Sequence, residues 1–181
     1  MAQLTIICGE RDVGKTSLCK LIYDFGVENG YSVKGIISPG IYEGKKKTGI
    51  EAVNLSDGEK RKLADFCPGW DPEKPSREWK FFEDALEWGN NVISRSTPAD
   101  VLIFDELGFM EFEKGLGWTS AFKVIEQNEF AKGFIVVRNV LLNNALAEFG
   151  ECKVINLKGS RSTDHSVQGA FQDIVANWEA T

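Results

Sequence analysis

Residues 9–16 read Gly-Glu-Arg-Asp-Val-Gly-Lys-Thr, the G-x-x-x-x-G-K-[ST] spacing of a phosphate-binding loop. Before it, the apolar run Gln3–Cys8 suits a buried strand through Leu4, Ile6 and Ile7. After it, Ser17–Gly30 carries Leu18, Leu21, Ile22 and Phe25 at helical spacing, and Gly26 or Gly30 offers a stop. The motif therefore falls between a strand and a helix N-terminus, where its mechanism requires it. Glycines at 9 and 14 let the backbone approach a phosphate with no side chain in the way. The loop N–H groups and the helix dipole favour an anion there. Lys15 supplies a point charge to the β- and γ-phosphates, and the Thr16 hydroxyl suits Mg²⁺. The expected nucleotide contacts are Gly9, Glu10, Arg11, Asp12, Val13, Gly14, Lys15, Thr16 and Ser17.

A second motif lies about ninety residues downstream. Val101–Phe104 is a compact apolar run closed by Asp105-Glu106. An acidic residue at the carboxyl end of such a strand holds Mg²⁺, directly or through water. Ligands collect at the carboxyl ends of strands in open α/β sheets, so Asp105 is expected to face the phosphate loop. Glu106 is expected to act as general base or to orient an attacking water. Glu111 and Glu113 are expected to be exposed carboxylates nearby. Three arginines, Arg11, Arg77 and Arg138, are candidates to stabilise a transition state.

Composition narrows the class. The chain has 181 residues, enough for one domain with a real core, read here as a single unit 1–181. It is 43% hydrophobic and 27% charged, as expected of a soluble globular protein. A formal net charge of −6 argues against non-specific binding to nucleic acid or a membrane surface. Lys45–Lys47 is a run of three basic residues, expected in a solvated turn. The cysteines Cys8, Cys19, Cys67 and Cys152 form no C-x-x-C pair and no zinc pattern. Cys8, Cys19 and Cys152 are expected as small buried hydrophobes, and Cys67 in a loop. No apolar stretch reaches transmembrane length and the N-terminus leads straight into a strand, so a cytoplasmic location is expected.

The remaining elements follow from periodicity and turn signals. Ser32–Ser38 is a second strand. Ile41–Leu55 is a β-hairpin with a Glu43–Gly49 turn, an antiparallel insertion over about 38–56. Glu59–Phe66 is expected as a short helix. The proline-rich stretch Cys67–Ser76 is expected as a loop, with 67–80 a candidate lid. Trp79, Phe81 and Phe82 lead into a helix over Phe82–Ser94, and Leu116–Asn128 is a further helix. Gly133–Val137 is a buried strand, Val140–Phe149 a helix, Lys153–Leu157 the last strand and Asp164–Trp178 the closing helix. Strands alternating with helices imply a mostly parallel sheet covered on both faces. The loop Lys158–Arg161 lies at the sheet edge suited to contacting a base.

These residues resemble a family. Gly9–Thr16, the stretch Ser38-Pro-Gly-Ile-Tyr through Asn54-Leu-Ser-Asp-Gly58, and Asp105-Glu-Leu-Gly-Phe-Met-Glu-Phe112 are similar to the small P-loop nucleoside-triphosphatases of the THEP1 type. Where the family usually has Pro, this chain has Phe109. The resemblance implies a RecA-like P-loop domain, a three-layer α/β/α sandwich. It implies Mg²⁺-dependent hydrolysis of nucleoside 5′-triphosphates, ATP and GTP among them, to diphosphate and phosphate. Carried over by motif, Lys15 and Glu106 are the catalytic pair, and Thr16 and Asp105 the metal ligands. Arg138-Asn139 reverses an Asn-Arg pair often found in the family, and Arg161 lies in the later loop. Two other readings use the same apparatus. One is a kinase, with an acceptor pocket formed by Cys67–Phe82. The other is a nucleotide-dependent accessory protein serving a partner enzyme.

Overall fold

The structure, a computed structural model, describes residues 2–68, 78–159 and 164–178. Strand β1 (Gln3–Gly9) enters the phosphate loop and α1 (Lys15–Glu28) leaves it. Strand β2 (Val33–Ile37) is followed by the expected hairpin, β3 (Gly40–Glu43) and β4 (Lys46–Asn54). Then come β5 (Lys60–Phe66), β6 (Trp79–Phe81), α2 (Glu83–Ile93) and β7 (Ala99–Phe104). Two short helices, α3 (Phe109–Lys114) and α4 (Ser120–Gln127), precede β8 (Phe130–Arg138). A 3-10 turn (Asn139–Leu141), α5 (Leu142–Phe149), β9 (Lys153–Leu157) and α6 (Asp164–Ala176) complete the chain.

Among the described residues one sheet runs β6-β5-β4-β2-β7-β8-β1-β9, with β3 added to β4. From β2 to β9 every pairing is parallel. From β2 through β4 and β5 to β6 every pairing is antiparallel. The parallel half alternates faces residue by residue. Ile6 and Cys8, Leu102 and Phe104, Ile135 and Val137 pack on one side with α2, α4 and α5. Ile7, Val101 and Ile103, Phe134 and Val136 pack on the other with α1 and α6. Both faces are dry, so these strands read as continuous apolar runs. The result is the three-layer α/β/α sandwich with an antiparallel extension.

Three expected elements differ. Glu59–Phe66 is strand β5 rather than a helix. It pairs antiparallel with β4, and a bulge there leaves Leu63 and Ala64 both buried. A short charged segment with few apolar residues gains more from completing the β4 ladder than from an isolated turn of helix. Trp79–Phe81 forms β6 on β5 before α2 begins. The helix expected over Leu116–Asn128 is shorter, since Gly115 and Gly117, at φ 61° and 74°, break the chain between α3 and α4. The candidate lid falls mostly on residues 69–77, outside the described residues.

Close approach shapes one strand junction. Gly35, in the middle of β2, sits at φ 121°, and a Cβ there would lie 2.0 Å from the Ile103 carbonyl oxygen on β7. Glycine lets β2 lie against β7 and thereby sets Asp105, the residue after β7, beside Ser38, the residue after β2.

Candidate functional site

The carboxyl ends of β1, β7 and β8 share one edge of the sheet. Strand β8 lies between the other two and pairs with both, with Gly9 opposite Arg138 and Phe104 opposite Ile135. Arg138 and Asn139 therefore emerge between the phosphate loop and Asp105-Glu106. This is the crevice outside the strand ends where open α/β sheets hold ligands.

In the phosphate loop Gly9 and Gly14 take φ 156° and 96°. A Cβ on Gly9 would meet the Leu157 carbonyl at 2.8 Å, and one on Gly14 would meet Val167 of α6 at 2.5 Å. Both glycines are thus required by packing against β9 and α6 as well as by conformation. Lys15 Nζ donates to the loop's own carbonyls, Gly9 O at 3.0 Å and Glu10 O. Burial holds the Lys15 ammonium below its ordinary value; Glu106 and then Asp105 oppose that shift, and Arg138 adds to it. Ser17 is exposed in the first turn of α1.

Asp105 is 2% exposed. Its Oδ2 accepts the Ser38 N–H at 3.1 Å, and the Ser38 hydroxyl donates to the Asp105 carbonyl at 3.4 Å. The Thr16 side chain lies close enough to the same carboxyl to lower its pKa. Burial, reinforced by the neighbouring Glu106 charge, pushes Asp105 up to about 6, with Thr16, Ser38 and Lys15 opposing the shift. A buried carboxylate beside a hydroxyl is a hard-oxygen donor pair, and such pairs suit Mg²⁺. Among the described residues no group of three or more His, Cys, Asp or Glu side chains is placed to hold a metal alone. Magnesium sites that rely on one or two carboxylates draw further oxygens from substrate phosphates and water.

Glu106 takes φ 74°, a left-handed conformation that costs a non-glycine residue about 1–3 kcal/mol. Its neighbours hold it there. Asp105 N–H donates to Ile36 O at 3.0 Å and Leu107 N–H to Val136 O at 2.8 Å. Gly108 N–H donates to Glu111 Oε2 at 2.7 Å. Arg138 Nη2 lies 3.0 Å from Glu106 Oε1, with both side chains nearly two-fifths exposed. An ion pair so open to water contributes roughly 0–1 kcal/mol.

Glu111 corrects the expectation of an exposed carboxylate. It is buried, because its other oxygen accepts the Trp118 N–H at 2.7 Å and so ties the start of α3 to the loop before α4. Burial raises its carboxyl, while the N–H groups of Trp118 and Gly108 pull the other way. Ser38, Glu111 and Asn139 escaped the sequence reading as site-building residues. Glu111 alone left a trace, at the third position after Gly108, where a glutamate can reach back to a helix start. Asn139 Nδ2 donates to Glu10 Oε1 at 3.1 Å, while its buried Oδ1 has no hydrogen-bond partner among the described residues.

The other candidates separate. Arg11 pairs with Glu78 at 3.2 Å on the exposed surface. Arg77 and Arg161 lie outside the described residues, as does most of the expected kinase acceptor segment. Of the loop expected to contact a base, Lys158 and Gly159 are described. Lys45 and Lys46 are exposed as expected, while Lys47 Nζ lies 5.1 Å from the Trp79 ring centre. Cys8 and Cys19 are buried; Cys67 and Cys152 are half-buried. Among the described residues no helix is long and apolar enough to cross a membrane.

Known proteins resemble this chain in sequence and in fold. A family model described as NTPase matches residues 4–146. The nucleoside-triphosphatase THEP1 of Methanopyrus kandleri is 34% identical over 114 residues, 62% of each chain. That of Methanocaldococcus jannaschii is 36% identical over 108 residues, 59% of this chain and 62% of its own. That of Pyrococcus abyssi is 37% identical over 112 residues, 59% of each chain. The matched region thus spans about three-fifths of the curated relatives' length. The solution structure of a human cancer-related nucleoside triphosphatase shares the fold at a TM-score of 0.71 and 19% identity, over 99% of both chains. The crystal structure of THEP1 from Aquifex aeolicus shares it at a TM-score of 0.61 and 20% identity, over 98% of this chain and 99% of that one. With the family match extending from β1 through Asp105-Glu106 to α5, the chain belongs to the THEP1-type NTPase family.

Proposed function

We propose that this protein hydrolyses nucleoside 5′-triphosphates to diphosphate and phosphate in the presence of Mg²⁺. The observation that carries the reading is the convergence of Thr16, Asp105 and Glu106 with Lys15 at one edge of the sheet, within mutual electrostatic reach. The names of the curated relatives, nucleoside-triphosphatases, support hydrolysis of nucleoside triphosphates in general.

The chain's own groups divide the work. The loop amides over residues 9–16 bind the phosphates, with Lys15 leaving its self-contact to Gly9 and Glu10 for the incoming anion. Thr16 and Asp105 are the residues that would hold Mg²⁺. When bound, the ion offsets the charge that develops on the phosphate oxygens. Glu106 orients a water and accepts its proton. The water oxygen bonds to the γ-phosphorus, the bond to the β–γ bridging oxygen breaks, and the diphosphate leaves with that electron pair.

Phosphate release from ATP, GTP, CTP and UTP tests this, with and without EDTA, beside Lys15→Ala. Release with each nucleotide, lost in EDTA and reduced at least about 10²-fold in the variant, is expected. Wild-type protein that binds nucleotide and releases no phosphate would contradict the reading and move the protein to a phosphotransferase or a partner-dependent switch.

A further inference from the structure

Arg138 differs from every other described arginine in where the fold delivers it. It ends β8, the strand between the phosphate-loop strand and the Asp105-Glu106 strand. It is in direct contact with Glu106 at 3.0 Å and within electrostatic reach of Lys15. The groups that flank the expected γ-phosphate position thus flank Arg138 as well. The next residue, Asn139, ties this strand end to Glu10 of the phosphate loop. Arg11, by contrast, is turned outward to Glu78.

We propose that Arg138 is a catalytic arginine supplied by the chain itself, which leaves Glu106 for the γ-phosphate when nucleotide binds. The proposal rests on the triphosphatase reading above. Its chemistry follows from the two anions that compete for one guanidinium. With no nucleotide, Glu106 takes it through a half-exposed pair, a weak contact. A triphosphate set between Lys15 and Glu106 brings more charge and a geometry that guanidinium matches through paired N–H groups. Transfer of Arg138 to the phosphate frees the Glu106 oxygen to take up the attacking water. No bond or proton changes at Arg138 itself. It offsets charge on the γ-phosphate oxygens while the β–γ bridging oxygen departs with its electron pair. The site then needs no arginine from a partner protein.

The test uses the full chain, with Arg138→Ala and Arg138→Lys beside wild type. Three readouts are taken: turnover with Mg²⁺ and ATP, binding of a non-hydrolysable ATP analogue, and binding of ADP with Mg²⁺ and tetrafluoroaluminate. Expected for Arg138→Ala is a fall in kcat of at least about 10²-fold. Analogue binding should stay within about threefold of wild type, while affinity for the fluoroaluminate complex should fall with kcat. Added guanidinium should restore part of the turnover to Arg138→Ala and none to Arg138→Lys, whose side chain fills the space. Arg138→Ala with near-normal kcat overturns the proposal. So does a loss of kcat with undiminished fluoroaluminate binding and no guanidinium rescue, which assigns Arg138 to holding Glu106 alone. Wild-type protein that fails to hydrolyse ATP overturns the triphosphatase reading itself, and this proposal with it.

Discussion

Asp105 is costly in the ionised state that the proposed magnesium binding demands. Its carboxyl is raised from the ordinary 3.8 to about 6, so holding it charged in the folded chain costs on the order of 3 kcal/mol. A raised folded value means the folded state binds the proton more tightly than the unfolded state. Stability from this group is therefore full below pH 3.8 and lost as pH rises through about 6. Asp105→Asn keeps an acceptor for the Ser38 N–H and removes the charge. In EDTA it should unfold at higher urea than wild type at pH 8, and the gap should close towards pH 4. An equal or lower midpoint at pH 8 would show that the buried charge is compensated. At this scale the sequence is most legible where spacing carries chemistry: the motifs single out Lys15, Thr16, Asp105 and Glu106, and the fold brings these four side chains together. Glu111 was misplaced as exposed, because its two N–H partners, Gly108 and Trp118, become neighbours only after α3 and its following turn have formed.

The elements that build the site depend on close strand packing. Gly35 shows how tight that packing is, with the Ile103 carbonyl where a Cβ would go. Gly35→Ala is expected to cost about 3 kcal/mol or more, through overpacking and an unfavourable φ together. Gly30→Ala is the control: its φ of 79° is also positive, but nothing lies within 4 Å, so only the conformational cost of about 1 kcal/mol applies. Urea midpoints of the two variants check this, and equal losses would contradict the packing argument. Strands with an apolar run on both faces, such as β1, β7 and β8, are legible because local pattern and burial coincide. Strands β5 and β6 are not. Strand β5 takes its strand geometry from β4 and β6 takes its own from β5, antiparallel edges remote from any signal within Glu59–Phe66 or Trp79–Phe82.

For the whole molecule, strand order matters more than strand content. Alternating strands and helices were enough to indicate a covered parallel sheet, but not that β8 would run between β1 and β7. That insertion places Arg138 and Asn139 in the crevice, and it follows from long-range pairing that periodicity does not encode. The antiparallel half, β3 to β6, extends the sheet on the β2 side, with Ser38 at the junction supporting Asp105. The phosphate loop is closed from above by α6, where Val167 packs against Gly14. The proposed reaction is thus framed by both halves of the sheet and by the C-terminal helix, while its acid–base chemistry rests on one strained glutamate.

The most direct measurement is single-turnover hydrolysis of ATP with Mg²⁺ by wild type and Glu106→Gln, alongside nucleotide binding by each. The amide keeps the shape and removes the base. Binding should be unchanged within a few fold, whereas the hydrolytic step in Glu106→Gln should slow by about 10²-fold or more. Normal turnover by Glu106→Gln would contradict the assignment of water activation to this residue, and with it the mechanism built on the Asp105-Glu106 edge.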